Sequence, residues 1–482
     1  MFDLRPVAYV IGLLILSLGA AMLVPFCVDL LGGEGDPATF GASAFLTATT
    51  GVCLTIACAP TKTAGLTLQQ VFLLTSLTWL LLPLFGALPF MLGAPGASFT
   101  DAYFEAMSGL TTTGSTVFID LSELPMGTNL WRGLLQWFGG IGIVVVALAF
   151  LPSLKIGGMQ IFRSEAFDTF GKILPRAAEI AASVAWIYVG LTIACWLCYA
   201  WAGMGPFDAM MHALTTVSTG GFSNSDASMG RFEPQVEYVA TVFMLLASLP
   251  FVRYIQLMSG AGGAFLSDSQ VRAYLGLITI IVAVLALYVG LTSVTPVEQA
   301  VREALFNSVS IISGTGYAST DYQLWGPFAV AVFFLIGLVG GCAGSTSCSV
   351  KIFRYELLAA ALNTRIRQVH NPSGIFTPRY EGRPIPDDVL NSVIAFFMLF
   401  LSSLAVTAIL LTLIGLDTVT AISGAASALG NIGPGLGPII GPAGSFAPLP
   451  DSAKWVLAAA MYLGRLELMS VFVLFTRAFW LR

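Results

Sequence analysis

Four stretches decide how this chain folds: FEAMSGLTTTGST at 104–116, MMHALTTVSTGGFS at 210–223, FNSVSIISGTGYAS at 306–319 and SGAASALGNIGPG at 423–435. Each opens with a short, moderately apolar stretch and then breaks into a run of Thr, Ser and Gly. Gly114, Gly220, Gly316 and Gly433 each lie ten residues after the start of their stretch. Four copies in one chain make an internal repeat, and a repeat sets the architecture. Ten residues of helix make nearly three turns, about 15 Å, which is half a membrane. The pattern predicts a half-helix that dips inward and returns as extended backbone. Non-helical backbone at that depth must be buried in protein or line a water-filled cavity. Four such loops around one axis give a ring. Glycine lets each loop adopt strained torsions and present carbonyls inward, and rings of carbonyls can replace the hydration shell of an alkali cation. A single Gly/Ser/Thr run would suit a tight loop or a small-residue helix contact equally well. Four at matched offsets do not.

The rest of the chain supplies the membrane. It has 482 residues, 56% hydrophobic and 10% charged, against about 25% charged in a soluble domain. Apolar windows of about 20 residues predict ten spans: 7–31, 39–59, 68–92, 129–151, 179–202, 234–258, 272–293, 325–350, 389–414 and 453–478. The first lacks the basic start and cleavage pattern of a signal peptide and is read as a retained helix. Each of the four loops falls between two spans on the same side. With the N-terminus inside, sixteen Lys/Arg fall on the inner side and four (Arg132, Arg231, Arg302 and Lys454) on the outer side, with Arg465 inside a span. This is a strong positive-inside bias. It predicts cytoplasmic termini and a cytoplasmic 351–388 loop. The acids lean outward, and an acidic mouth concentrates cations. Asp101, Glu105, Asp208, Glu298 and Glu303 sit near the pore segments as candidates for that mouth. The net charge of −5 argues against a nucleic-acid binder. The one CxxC, Cys195-Trp-Leu-Cys198, lies inside an apolar span, and no Cys/His spacing suggests a metal site.

The four loops resemble the pore loops of the Trk/Ktr/HKT superfamily of potassium transporters, most closely the bacterial TrkH/TrkG membrane subunits. The stretches that carry the resemblance are TTTGST at 111–116, TVSTGGFS at 216–223, SGTGYASTDY at 313–322 and NIGPGLG at 431–437. WRGLLQWFGGIGIVV from Trp131, GGCAGST at 340–346, RYEGRPIPDD at 379–388 and GRLEL at 464–468 add to it. The resemblance covers nearly the whole chain. It implies an all-α polytopic membrane protein with four membrane–pore–membrane repeats in pseudo-four-fold arrangement, after two leading transmembrane helices. The units would be 1–67, 68–178, 179–271, 272–388 and 389–482.

It further implies a potassium-selective filter at Thr113, Gly114, Thr219, Gly220, Thr315, Gly316, Asn431 and Gly433, with potassium ion as the cargo. Glycine at the first position, Gly114, goes with potassium selectivity in the family, and serine there with sodium entry. The family also forms homodimers in the bacterial inner membrane and binds a cytosolic, TrkA-like nucleotide-binding regulatory subunit. Its gate is an intramembrane loop under the filter, which would be Gly340, Gly341, Cys342, Ala343, Gly344, Ser345 and Thr346 here, with Arg465 beside the pore. The family pattern continues with further glycines, whereas this chain has Ser347, Cys348 and Ser349. Those residues restrict the hinge.

Mid-membrane, Arg465 either holds the gate loop or makes a helix-packing ion pair. Glu467, about 200° further around a helix, is expected to face another element. Lys351 and Arg354 are expected to snorkel to the headgroups or to meet the regulatory partner. His212 and His370 read as packed or interfacial rather than ligating. Two histidines and no HExxH leave no enzyme site. A membrane scaffold would not need four matched loops. A coupled transporter also uses broken helices, and an ion-coupled (H+ or Na+) symporter of potassium or another small solute stays open as the alternative.

Overall fold

The computed structural model describes residues 3–33, 35–59, 66–149, 177–260 and 263–480. Apart from a two-residue hairpin (Arg379–Tyr380 with Arg383–Pro384), its regular structure is helical. Among the described residues six helices are long and apolar enough to cross a membrane: Arg5–Gly32, Pro37–Ala57, Leu68–Leu92, Ala181–Trp201, Ser269–Thr292 and Asp387–Ile414.

Four expected spans depart from straight helices of that kind or fall outside this group. Pro234–Ala247 and Phe251–Met258 form a pair bent by 88°. Asp451–Arg465 and Met469–Phe475 form another, bent by 101°. Met126–Ala149 is a 24-residue helix carrying Arg132 and Gln136; the last two residues of its expected span lie outside the described residues. The expected span 325–350 is helical only over Pro327–Gly337. The continuous reading of 453–478 is therefore corrected. Its break falls at Leu466–Leu468, where Glu467 takes φ 55°, a torsion no α-helix accommodates.

The four short helices of the repeats are present: Phe99–Leu110, Pro206–Val217, Val297–Ser313 and Thr418–Gly430. Local chemistry starts them. Ser98 and Asp417 cap the first and fourth by accepting from Asp101 N at 3.2 Å and Thr420 N at 3.0 Å, and Pro206 opens the second. Their inner turns are buried on every side, because each is ringed by the longer helices. In the leading pair, Gly12, Gly19 and Gly51 let Arg5–Ala21 lie against Pro37–Ala57 so closely that a Cβ at Gly51 would sit 2.6 Å from Leu16 N. Small residues allow this contact in lipid.

Candidate ion pathway

Each pore helix ends in a left-handed residue: Thr112 (φ 51°), Thr219 (51°), Gly314 (76°) and Asn431 (51°). The next N–H turns back to the helix, from Thr113 to Ser108 O (2.8 Å), Gly220 to Thr215 O (2.9 Å), Thr315 to Ser310 O (2.9 Å) and Ile432 to Ser427 O (3.0 Å). A left-handed glycine follows in every case: Gly114 (86°), Gly221 (75°), Gly316 (81°) and Gly433 (111°). The register expected from sequence is thereby corrected in the second loop. Gly221, not Gly220, stands in line with Gly114, and Gly220 takes the place of Thr113. Thr219 and Asn431 sit one step further in, beside Thr112. A Gly-Gly doublet permits both registers in sequence; the left-handed torsion selects one.

These glycines close a ring. A Cβ on Gly114 would overlap the carbonyl oxygen of Gly220; one on Gly221, that of Thr315; one on Gly316, that of Ile432. A Cβ on Gly433 would lie 2.8 Å from Thr113 O, which returns to the first loop. Each loop thus presses its glycine against the carbonyl of the next, in cyclic order. Gln136 clamps the second loop from behind, donating to Gly220 O at 2.6 Å and accepting from Phe222 N at 3.0 Å. The sequence reading missed this residue. Its signal was a lone amide in an apolar span.

Outside the ring lies a cavity of about 300 Å³ whose lining includes Gly114, Gly221, Gly316 and Gly433. The acids on its wall are Asp120 and Asp226, neither of which was singled out from sequence. None of the five expected mouth acids lines it. Glu105 is fully buried against Arg132, Nε to Oε1 2.8 Å. Asp101 pairs with Lys454 at 2.6 Å, Asp208 accepts from Asn224 at 2.6 Å, Glu298 pairs with Arg302 at 3.1 Å, and Glu303 accepts from Gln299 at 2.7 Å. Near the pore helices, local partners hold these acids rather than the vestibule.

Inside the ring, residues 338–351 contain no helix, as the small-residue run predicts. The loop is pinned on several sides. Cys342 N donates to Ser248 O at 3.1 Å and Phe251 N to Gly344 O at 3.0 Å, both at the 88° bend. Ala343 N donates to Gln270 Oε1 at 2.9 Å and Thr346 Oγ1 to Ala247 O at 3.0 Å. The three departures from glycine all make contacts. Ser347 Oγ donates to Ser313 O (2.5 Å), at the end of the third pore helix, and accepts from Gly341 N (2.9 Å). Ser349 Oγ donates to Gly337 O at 2.9 Å. Cys348 Sγ meets Arg465 Nη1.

Arg465 is buried. It also donates to Gly139 O at 2.9 Å and lies 5.5 Å from the Trp79 ring. Among the described residues it has no carboxylate partner, so the ion-pair reading of Arg465 does not apply. Glu467 lies in the break beyond the helix, so helical spacing does not orient it; it binds Lys351 (3.3 Å) and Arg354. Neither cation snorkels. Both are buried, because the helix break turns the Glu467 carboxylate toward the end of the loop. His212 is buried in hydrogen bonds and His370 is exposed at a helix end.

Residues 42–480 match the family model described as TrkH, cation transport protein. The chain is 43% identical over 479 residues to the Trk system potassium uptake protein TrkI of Halomonas elongata, covering 98% of this chain and 96% of that one. It is 33% identical to TrkH of Escherichia coli over 482 residues, covering 99% of each. The crystal structure of the potassium transporter TrkH from Vibrio parahaemolyticus superposes with a TM-score of 0.91 at 34% identity, over 99% of this chain and 100% of that one. With four pore loops closed into a ring over a pinned intramembrane loop, the chain belongs to the TrkH family of cation transport proteins.

Proposed function

We propose that this chain is the potassium-translocating pore subunit of a bacterial Trk-type uptake system. It sits in the inner membrane with both termini and the 351–388 loop cytoplasmic. The observation that carries the reading is the cyclic ring of Gly114, Gly221, Gly316 and Gly433 against the carbonyls of Gly220, Thr315, Ile432 and Thr113. Such a ring presents fixed carbonyl dipoles in place of water to a dehydrated cation. In this reading the filter comprises Thr113–Gly114, Gly220–Gly221, Thr315–Gly316 and Ile432–Gly433, with Thr219 and Asn431 at its inner edge. The 340–346 loop with Arg465 is the gate beneath it. The five units begin at residues 1, 68, 179, 272 and 389.

The family resemblance implies two partners, which we include in the proposal: a second copy in the membrane and a cytosolic TrkA-like regulatory subunit that moves the gate. The test is cation flux into liposomes holding the purified chain and that subunit, with potassium, rubidium, sodium and lithium compared under an imposed voltage. Potassium and rubidium are expected to pass well ahead of sodium and lithium. Equal flux of all four, or coupled uptake of an organic solute, overturns the reading.

A further inference from the structure

Counting back nine residues from each ring glycine reaches Glu105, His212, Asn307 and Gly424. The first three are fully buried polar side chains on the pore helices. In the fourth repeat Ser423, one residue earlier, is the buried polar group. Chemically these four have nothing in common, yet they do one job. Each hydrogen-bonds the strand that leaves its ring glycine for the outer surface.

Glu105 Oε2 accepts from Val117 N at 2.9 Å and Oε1 accepts from Thr116 Oγ1 at 3.0 Å. Asn307 Oδ1 accepts from Ser319 N at 3.2 Å and Nδ2 donates to Ser319 Oγ at 2.9 Å. Ser423 Oγ accepts from Leu436 N at 2.9 Å, while its own proton goes to Val419 O at 2.7 Å. His212 Nδ1 lies 2.8 Å from Asp208 O and Nε2 3.0 Å from Ser223 Oγ. A carbonyl only accepts, so Nδ1 carries the proton, and Nε2 accepts from the Ser223 hydroxyl. That hydroxyl in turn accepts from Ser225 N at 3.1 Å. Val117, Ser319 and Leu436 all lie three residues beyond their glycine, and Ser223 lies two beyond.

Repetition of contact without repetition of residue type separates this from ordinary core packing. Packing alone would repeat volume, and Glu, His, Asn and Ser differ widely in volume. One anchor also ties two loops together: Arg132, held by Glu105, donates through Nη1 to Ser223 O at 2.7 Å.

We infer that Glu105, His212, Asn307 and Ser423 are positioning residues for ion selection. They fix the outer strand of each loop so that the ring carbonyls keep one spacing. The inference rests on reading the ring as the filter. A strand released from its anchor lets the ring breathe, and a ring that breathes fits the smaller, more strongly hydrated sodium ion at less cost.

The experiment measures the potassium-to-sodium flux ratio of the full chain in liposomes for His212→Leu and His212→Gln. Leucine removes the Nε2 acceptor; glutamine returns one at the same reach. His212→Leu is expected to lower the ratio by about fivefold, the order of one lost hydrogen bond, with rubidium flux still measurable. His212→Gln is expected to recover most of the loss. Ser423→Ala removes the hydroxyl with almost no change of shape and Ser423→Thr keeps it with one added methyl, and the pair decides the matter if His212→Leu fails to insert. Wild-type ratios in both His212→Leu and Ser423→Ala overturn the inference. So do equal losses in each pair, because volume rather than hydrogen bonding would then be the cause. Gly114→Ser runs alongside. If it too leaves the ratio unchanged, the ring is not the filter and the functional reading itself fails.

Discussion

Gly114 combines two demands that no other residue meets. Its φ of 86° is left-handed, and its missing Cβ leaves room for the Gly220 carbonyl. Serine there must push the second loop away or abandon the torsion. Gly114→Ser is expected to lower the potassium-to-sodium flux ratio at least about tenfold, ~1.4 kcal/mol of discrimination, in a chain that still inserts. Flux in liposomes checks it. Arg465 is the other decisive residue. A buried guanidinium without a carboxylate is costly, and here it spans from Cys348 in the loop to Gly139 O behind the end of the first pore helix. Arg465→Ala is expected to raise basal potassium flux in the absence of the cytosolic subunit, with the chain still monodisperse in detergent. Loss of insertion instead would assign Arg465 to packing.

At the scale of elements, the loop at 338–351 is closed by side chains as much as by backbone. Ser347, Cys348 and Ser349 bind the third pore helix, Arg465 and Gly337. Neutral hydrogen bonds of this kind contribute roughly 1 kcal/mol each. Replacing all three residues by glycine is expected to raise basal flux about tenfold or more, and to raise flux with the cytosolic subunit further. Flux measured with and without that subunit checks both parts. The sequence signalled a non-helical intramembrane loop here. It did not signal that the three residues interrupting the glycine pattern are the contacts that hold it, because a hydroxyl's partner lies on another helix. Likewise Lys351 and Arg354 looked like headgroup anchors, since an apolar segment followed by two cations is the ordinary signature of a membrane edge. The break at Glu467 brought their partner to them.

At the scale of the whole molecule, the hairpin at 379–384 meets an acidic cluster. Glu381 accepts from Ser269 N at 3.0 Å, Glu356 accepts from Ser269 Oγ at 3.3 Å, and Asp268 pairs with Arg253 at 2.6 Å. Burial first, and then the Asp268 and Glu381 charges, push the Glu356 carboxyl up from 4.5 to about 7, against the hydrogen bond from Ser269. The folded chain therefore holds a proton there that the unfolded chain releases near 4.5. Stability falls as pH rises from 4.5 to about 7, because over that range the native state binds more protons. Amide exchange across residues 379–384 is expected to quicken over the same range, and Glu356→Gln is expected to flatten the dependence. Orientation is the other whole-molecule prediction. After replacement of Cys27, Cys53, Cys58 and Cys198, which are exposed or partly so, a cysteine at His370 is expected to react with impermeant reagents only from the inner side. Labelling of intact cells and of inverted vesicles decides it.

The sequence alone determined what repeats and what must avoid lipid. Apolar length, the sixteen-to-four Lys/Arg bias and four Gly-bearing loops are one-dimensional patterns. Insertion into a bilayer acts on such patterns directly, segment by segment. The same holds for the loss of helix in the small-residue run after Val339. The tertiary structure decided every question of partnership and register. It chose Gly221 over Gly220, moved Glu105 from the mouth to a buried pair with Arg132, brought Gln136 to the second loop of the glycine ring, and broke the last span so that Glu467 reaches Lys351 and Arg354. In a pseudo-four-fold fold such contacts follow the packing and not the repeat: Gln136–Gly220 and Glu467–Lys351/Arg354 cross between repeats, while Glu105–Arg132 stays within one. Their sequence separations carry no period, and a buried polar group takes whichever partner the packing of the other three repeats leaves within reach.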